Sequence, residues 1–190
     1  MIVAESPLYT FKNFTDLTEL ESEEVLRGRN DPEVRRWMTS DRAISLDDHR
    51  CFVRALRGNS RAAYVRIERA GHLAGVYSLN DLESGSGLGG FWVTAYTRER
   101  LLPLNVVFQG MNYMFETLDI WHIYGCQKKD NLSAIRLNAL LGLTLSEPDS
   151  ACAEGMQKIE ITKQQWQLVT ARDVKLLKLM SRMEALNGTN

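Results

Sequence analysis

From Arg61 onward the apolar residues of this 190-residue chain pass from a helical to an alternating period, and that change constrains the fold more than any other feature. RAAYVRIERAGHLAGVYSLNDL alternates on both sides of a turn at Ala70-Gly71, and FWVTAY resumes the alternation after the Ser/Gly-rich SGSGLGG. Successive side chains of a strand point to opposite faces, so the pattern predicts three strands in an antiparallel meander. Pro103 then opens PLNVVFQGMNYMFETL, where Leu104, Val107, Phe108, Met111, Met114 and Phe115 recur at helical spacing. WHIYGCQ, from Trp121 to Gln127, reads as a short strand, and Asp130-Asn131 begins an apolar helix, LSAIRLNALL, that stops at Gly142. A meander followed by helix, strand and helix implies an α/β fold with a mixed central sheet flanked by helices.

The front of the chain supplies one more strand and about three helical pieces. Tyr9 to Phe14 (YTFKNF) alternates, and Asp16 to Arg29 is amphipathic with Leu17, Leu20, Val25 and Leu26 as its buried candidates. Asp31 can cap a short segment, DPEVRRWM, with Pro32 at its first helical position. At Ser45, SLDD resembles a capping box and opens a helix through His49, Phe52, Val53 and Leu56. At the other end, LTLSE and MQKIEITK read as short strands, and two helical pieces from Lys163 to Leu186 place Trp166, Leu176, Leu177, Leu179 and Met180 on one side. The length suits one domain, 1–190, with a core over about 8–166 and a helical tail over 167–190.

Composition excludes more than it selects. With 23 basic and 24 acidic residues the net charge is -1, so no global field draws the chain to nucleic acid or an anionic membrane, and any phosphate recognition is local. Three cysteines, Cys51, Cys126 and Cys152, stand without a CxxC pair, which points to a reducing compartment and to neither a metal site nor a disulfide framework. MIVAESPLYTFKNF lacks the basic and long apolar regions of a secretion signal, and no apolar run is long enough to span a bilayer, so the expected location is the cytoplasm. GSGLGG lies between strands with no helix after it, which excludes a dinucleotide fingerprint; no HExxH, GxSxG or Walker pattern occurs.

DNLSAIRLNALLGL resembles a pattern of the GNAT family of acyl-CoA-dependent N-acetyltransferases, in which an Asn opens a helix, Ala-x-Arg-x-Tyr follows, and Gly-aromatic closes it. Asn131, Ala134, Ile135, Arg136 and Gly142 keep that frame; Tyr113 and Phe115 before WHIYGCQ, and the closing ITKQQW, also fit it. KNFTDL, RGRNDPEVRRWM and ISLDDHRCFVRAL are similar to the branch of this family that acetylates UDP-linked 4-amino sugars in pseudaminic acid synthesis. Arg29, Asn30, Val34, Arg35, Trp37, Met38, Ile44, Ser45 and His49 carry that likeness, which covers about residues 10–166.

The resemblance implies acetyl-CoA as donor, no metal, a UDP-aminosugar as acceptor, and a role in glycan biosynthesis, with homodimer formation left open. It implies that the donor lies between FWVTA (with Trp92, Val93 and Thr94) and WHIYGC, its diphosphate at the loop before the long helix, near Thr97 to Leu104. The family's loop glycines fall at Leu101 and Pro103 here, where Arg98 and Arg100 are the side chains able to compensate. Asn131 either caps its helix or holds the pantetheine arm; Arg136 and Asn138 follow it, Asn138 standing where the family has its acid, a Tyr. Tyr124 and Cys126 are the substitutes on the neighbouring strand, against a buried role for each. His49 has the intrinsic pKa of a base, against a surface position on its helix, and His72 and His122 carry no assignment. Arg29, Asn30, Arg35 and Trp37 suit sugar, phosphate or uracil, and Trp92 either stacks on the acceptor or belongs to the core. Two other classes remain: a non-catalytic binding protein of this fold, and a protein or peptide N-acetyltransferase.

Overall fold

The computed structural model describes residues 8–146 and 152–187. β1 (Tyr9–Asn13) passes through a 3₁₀ turn (Phe14–Asp16) into α1 (Glu19–Asn30). The turn explains why the helix starts later than the apolar pattern predicts: the cap is Thr18, whose hydroxyl accepts from the Glu21 N–H while the Glu21 carboxylate accepts from the Thr18 N–H. α2 (Pro32–Arg35) starts at Asp31 and α3 (Leu46–Leu56) at Ser45, both as expected, with Asp31 accepting from the Glu33 N–H and Ser45 from the Asp48 N–H.

The meander follows as β2 (Ala63–Arg69), β3 (His72–Glu83) and β4 (Ser86–Val93). A short α4 (Ala95–Glu99) that the sequence did not announce comes next, then α5 (Pro103–Asn112), extended by a π turn over Tyr113–Thr117. β5 (His122–Lys128), α6 (Leu132–Leu140), β6 (Thr144–Ser146), β7 (Met156–Thr162), α7 (Lys163–Arg172) and α8 (Val174–Asn187) complete the order. Gly142, at φ 81°, ends α6 in the left-handed region that glycine alone enters freely.

The seven strands form one sheet in the order β1-β2-β3-β4-β5-β7-β6. Every neighbouring pair is antiparallel except β4 and β5. β3 divides the core: Tyr77 and Leu79 face α5, α7 and α8, whereas Val76 faces α1 and α3, and a bulge at Ala74, opposite Ile67 and Glu68, resets the alternation so that Leu73 joins Val76. Leu104, Phe108, Met111, Phe115 and Trp166 fill the first layer; Phe14, Val25 and Leu56 fill the second. Arg66, 2% exposed in β2, is held between Glu24 at 2.6 Å and Glu68 at 2.8 Å, the pairing that a buried guanidinium requires.

Several expectations need correction. Leu20 is 78% exposed, because the Thr18 cap rotates the inner face of α1 onto Val25 and Leu26. Leu177 and Leu179 also face outward; the buried stripe of α8 runs through Leu176 and Met180. Cys126 and Cys152 form a disulfide, contrary to three reduced thiols, because the turn before β7 brings Cys152 beside β5. The helical tail packs onto the main core through Leu176 and Met180. Residues 1–7, on which the secretion argument rests, and Glu147 at the end of the expected LTLSE strand lie outside the described residues. Among those described, no helix is long and apolar enough to cross a membrane.

Candidate active site

β4 and β5 are paired only at Ser86 with His122, Gly87 with Ile123 and Leu88 with Tyr124. Beyond Leu88 the ladder stops, although β4 continues to Val93 and β5 to Lys128. The strands therefore part as a V, with one edge of β4 beyond Leu88 lacking a strand partner among the described residues. Gly89 stands at the vertex, where a Cβ would lie 2.5 Å from Ile123 Cγ2; only glycine lets the strands approach so closely before they separate. An open strand edge can hydrogen-bond an extended chain of amides, which is what a pantetheine arm presents.

At the far end of β4, Thr94 caps α4 by accepting from the Thr97 N–H at 3.4 Å. Leu101 then adopts φ 55°, a left-handed conformation that costs a non-glycine residue about 1–2 kcal/mol. The backbone thus takes the turn expected of glycine without glycine. The turn feeds α5, whose first residue, Pro103, has no N–H and whose cap, Leu102, makes no side-chain bond. The N–H groups of Leu104 and Asn105 remain directed out of the helix start, a setting that favours an anion. Arg98 does not offer its side chain to a phosphate here: it donates to the Val93 carbonyl at 2.8 Å and to Asp31 Oδ2 at 2.9 Å. Arg100 lies over the Tyr96 ring at 4.3 Å.

The Arg98–Asp31 pair ties α2 to the end of β4, and Lys128 at the end of β5 donates to the Arg36 carbonyl at 2.7 Å. The segment 31–36 therefore spans the open ends of the V. Arg29, just before this segment, and Arg35, within it, converge on one loop: Arg29 Nη2 donates to the Ser40 carbonyl at 3.3 Å and Arg35 Nη1 to that of Asp41 at 3.0 Å. Among the described residues each keeps one buried N–H without a hydrogen-bond partner, Arg29 Nη1 and Arg35 Nε, the latter ion-paired at 3.8 Å with the Asp41 carboxylate. Burial first, then the nearby charge of Arg35, lowers the Arg29 pKa. Two close guanidiniums with spare donors form a receptor for an anionic or strongly accepting group. Asn30 is otherwise engaged, both ends of its carboxamide being bonded to the backbone of Ile44 at 2.8 and 2.9 Å. Trp37 carries the Arg36 guanidinium 4.9 Å over its ring. Trp92 packs in the second core layer against Gly28 of α1.

The remaining candidates divide by surroundings. Tyr124, half-buried, occupies the last paired position before the strands part, with Lys158 Nζ 5.3 Å above its ring. Cys126 is held in the disulfide and is no proton donor in that state. Asn131 caps α6, its Oδ1 accepting from the Ala134 N–H at 3.1 Å, and Arg136 projects from the exposed side of that helix. Asn138 is turned inward, donating to Gln127 Oε1 at 2.7 Å. Gln127 and Lys128 were passed over in the sequence because nothing local distinguishes them from ordinary strand-end polar residues.

His49 is not on the surface. It is 5% exposed, 3.0 Å from Ser22 Oγ through Nε2, with its ring edge toward Phe14. Burial lowers its pKa, only partly opposed by Ser22. The unfolded chain takes up this proton near pH 6.5 and the folded chain resists, so acid favours unfolding. We expect the His49 contribution to be complete above about pH 6.5 and to fall below it, with a slope of at most about 1.4 kcal/mol per pH unit. Urea midpoints between pH 7.5 and 5 check this, and His49→Gln should flatten the profile.

No family model matches the chain. The acetyltransferase PseH of Campylobacter jejuni subsp. jejuni serotype O:23/36 (strain 81-176) is 24% identical over 140 residues, 73% of this chain and 86% of that protein. The crystal structure of Campylobacter jejuni N-acetyltransferase PseH aligns at a TM-score of 0.63 and 19% identity, covering 82% of this chain and 99% of that one. The spermidine N-acetyltransferase of Vibrio cholerae, in complex with CoA and spermine, aligns at a TM-score of 0.71 and 13% identity, covering 85% and 99%. The architecture is that of the GNAT acetyltransferases.

Proposed function

We propose that this chain is an acyl-CoA-dependent N-acetyltransferase that transfers an acetyl group from acetyl-CoA directly to the amino group of a nucleotide-linked aminosugar. The observation that carries the reading is the V between β4 and β5, crossed at its open ends by the segment 31–36, with Arg35 in it and Arg29 just before it each keeping one N–H without a hydrogen-bond partner among the described residues. The likeness to PseH, of which a structure in complex with acetyl-CoA exists, supports both donor and reaction class.

In this reading the free edge of β4 holds the pantetheine arm, and the start of α5, entered through the left-handed Leu101, takes the diphosphate. Acetyl-CoA supplies an activated thioester, which a neutral amine attacks with release of the CoA thiol. Arg29 and Arg35 hold the phosphates or sugar oxygens of the acceptor, and Tyr124, at the last paired position before the strands part, is the assigned group that gives a proton to the departing sulfur. His49, enclosed between Ser22 and Phe14, positions α3 against α1 and is not assigned the base.

The test is calorimetric titration with acetyl-CoA, then with UDP-sugars, followed by thiol detection of CoA release with a UDP-4-amino sugar. Acetyl-CoA binding and amine-dependent release are expected; absence of either one overturns the reading. One observation favours a second reading, a binding protein that has lost chemistry: Asn138 is bonded inward to Gln127 at the helix position expected to carry the acid. UDP-sugar binding without acetyl-CoA binding would select it.

A further inference from the structure

Beyond the stretch of family resemblance, α8 contacts both sides of the turn that feeds α5. Its inner face is Leu176, Met180, Met183, Glu184 and Asn187, spaced at helical intervals. Glu184 receives Tyr9 Oη and Asn105 Nδ2 on one carboxylate oxygen, the latter at 3.0 Å, and Arg69 Nε at 2.9 Å and Nη2 at 2.6 Å on the other. Asn105 stands in the first turn of α5 and also donates to the Met180 carbonyl at 3.1 Å. On the other side of the turn, Asn187 donates to the Arg100 carbonyl at 3.1 Å. Arg69 extends the network by donating to Tyr96 Oη at 3.2 Å, and Arg100 covers that same ring.

Between Arg100 and Asn105 lies Leu101, left-handed at φ 55° and 70% exposed, so its own side chain has little packing with which to hold that conformation. A residue in this region persists only when its surroundings over-determine it. The points on each side of it, Arg100 and Asn105, are both bonded to residues of α8. All the donors to Glu184 are side chains, so its carboxylate does not occupy the backbone N–H groups of Leu104 and Asn105.

We infer that α8 is a clamp that holds the glycine-free turn before α5 in the shape that receives the donor's diphosphate, with Glu184 and Asn187 as positioning residues. The inference rests on the acetyl-CoA reading above. It assigns to this chain a substitute for loop glycines: conformational freedom is replaced by external bracing.

The test uses the full chain as wild type, Glu184→Gln and Asn187→Ala, and each variant again with Leu101→Gly. Acetyl-CoA affinity is measured by calorimetry, and acetylpantetheine, which has no diphosphate, serves as a second donor in turnover assays. Glu184→Gln should weaken acetyl-CoA binding by about tenfold, from loss of charge-assisted bonds. Asn187→Ala should weaken it by about threefold, the scale of one neutral bond. KM for acetylpantetheine should stay constant, and Leu101→Gly should restore acetyl-CoA binding in both variants. Unchanged or tighter acetyl-CoA binding in both variants, or a loss that Leu101→Gly does not repair, overturns the clamp. If Glu184→Gln does not fold, Asn187→Ala at the end of the helix decides by the same readouts. Absence of acetyl-CoA binding by the wild type overturns both this inference and the functional reading; binding by the wild type with indifferent variants overturns the clamp alone.

Discussion

Trp166→Ala is expected to lower the unfolding free energy by about 3–5 kcal/mol, a large part of the roughly 5–15 kcal/mol available to a domain. Trp166 is 1% exposed, and its ring packs 5.0 Å from Phe108 and 6.1 Å from Phe115. Removing the indole opens a cavity in the layer between α7 and the α5 region. It also orphans Asn112 Oδ1, which accepts from the indole N–H at 2.9 Å and whose own Nδ2 is already buried without a partner. Trp166→Phe separates the two costs: the cavity is smaller while the orphan remains, so about 1–3 kcal/mol is expected. Urea unfolding followed by circular dichroism measures both. A Trp166→Ala loss under 1 kcal/mol would mean that the C-terminal segment does not belong to the main core.

The ability of the sequence to report such features depended on range. Periodicity along β2, β3 and β4, the Asn131 cap and the Gly142 stop are decided within a few residues, and they were legible for that reason. The onset of α1 was displaced because a 3₁₀ turn occupies Phe14–Asp16, which hydrophobic spacing alone does not separate from a helix. Arg98 read as a phosphate ligand because its partner, Asp31, is far away in the chain, and an ion pair of that kind leaves no local trace. The same holds for Lys128 with Arg36 and for the pairing of Cys126 with Cys152.

The candidate site was legible as residue types and illegible as roles. Leu101 argued against a phosphate turn on the ground that glycine was missing, whereas the backbone adopts the left-handed conformation without glycine, closed by the Leu101 N–H to the Arg98 carbonyl at 3.1 Å and the Leu102 N–H to the Thr97 carbonyl at 3.0 Å. Asn30 and Arg29 stand side by side in one motif, yet Asn30 is consumed by Ile44 while Arg29 retains a donor. The motif therefore supplies the proposed acceptor region, and hydrogen-bond accounting selects which of its members keep a donor to offer.

That accounting yields the largest functional effect we expect. Replacing both Arg29 and Arg35 with Ala should raise KM for the UDP-4-amino sugar by roughly 10²–10⁴-fold, since hydrogen bonds to charged groups contribute about 1.5–3 kcal/mol each. Acetyl-CoA affinity should not change, because its proposed site lies along the β4 edge and the start of α5. The fold should survive, for a physical reason: Arg29 Nη1 and Arg35 Nε are buried without hydrogen-bond partners, so removing them relieves a desolvation cost that the free protein bears. Their loop bonds to Ser40 and Asp41 are lost in exchange, and the two effects oppose each other. Thermal unfolding by circular dichroism, with steady-state kinetics in both substrates, checks all three statements. Arg29→Lys refines the result, because an ammonium keeps the charge but not the planar fork; a partial KM increase is expected where bidentate contact matters. An unchanged acceptor KM in the double variant would remove these arginines from the acceptor site and leave the segment across the V as a strut between β4 and β5.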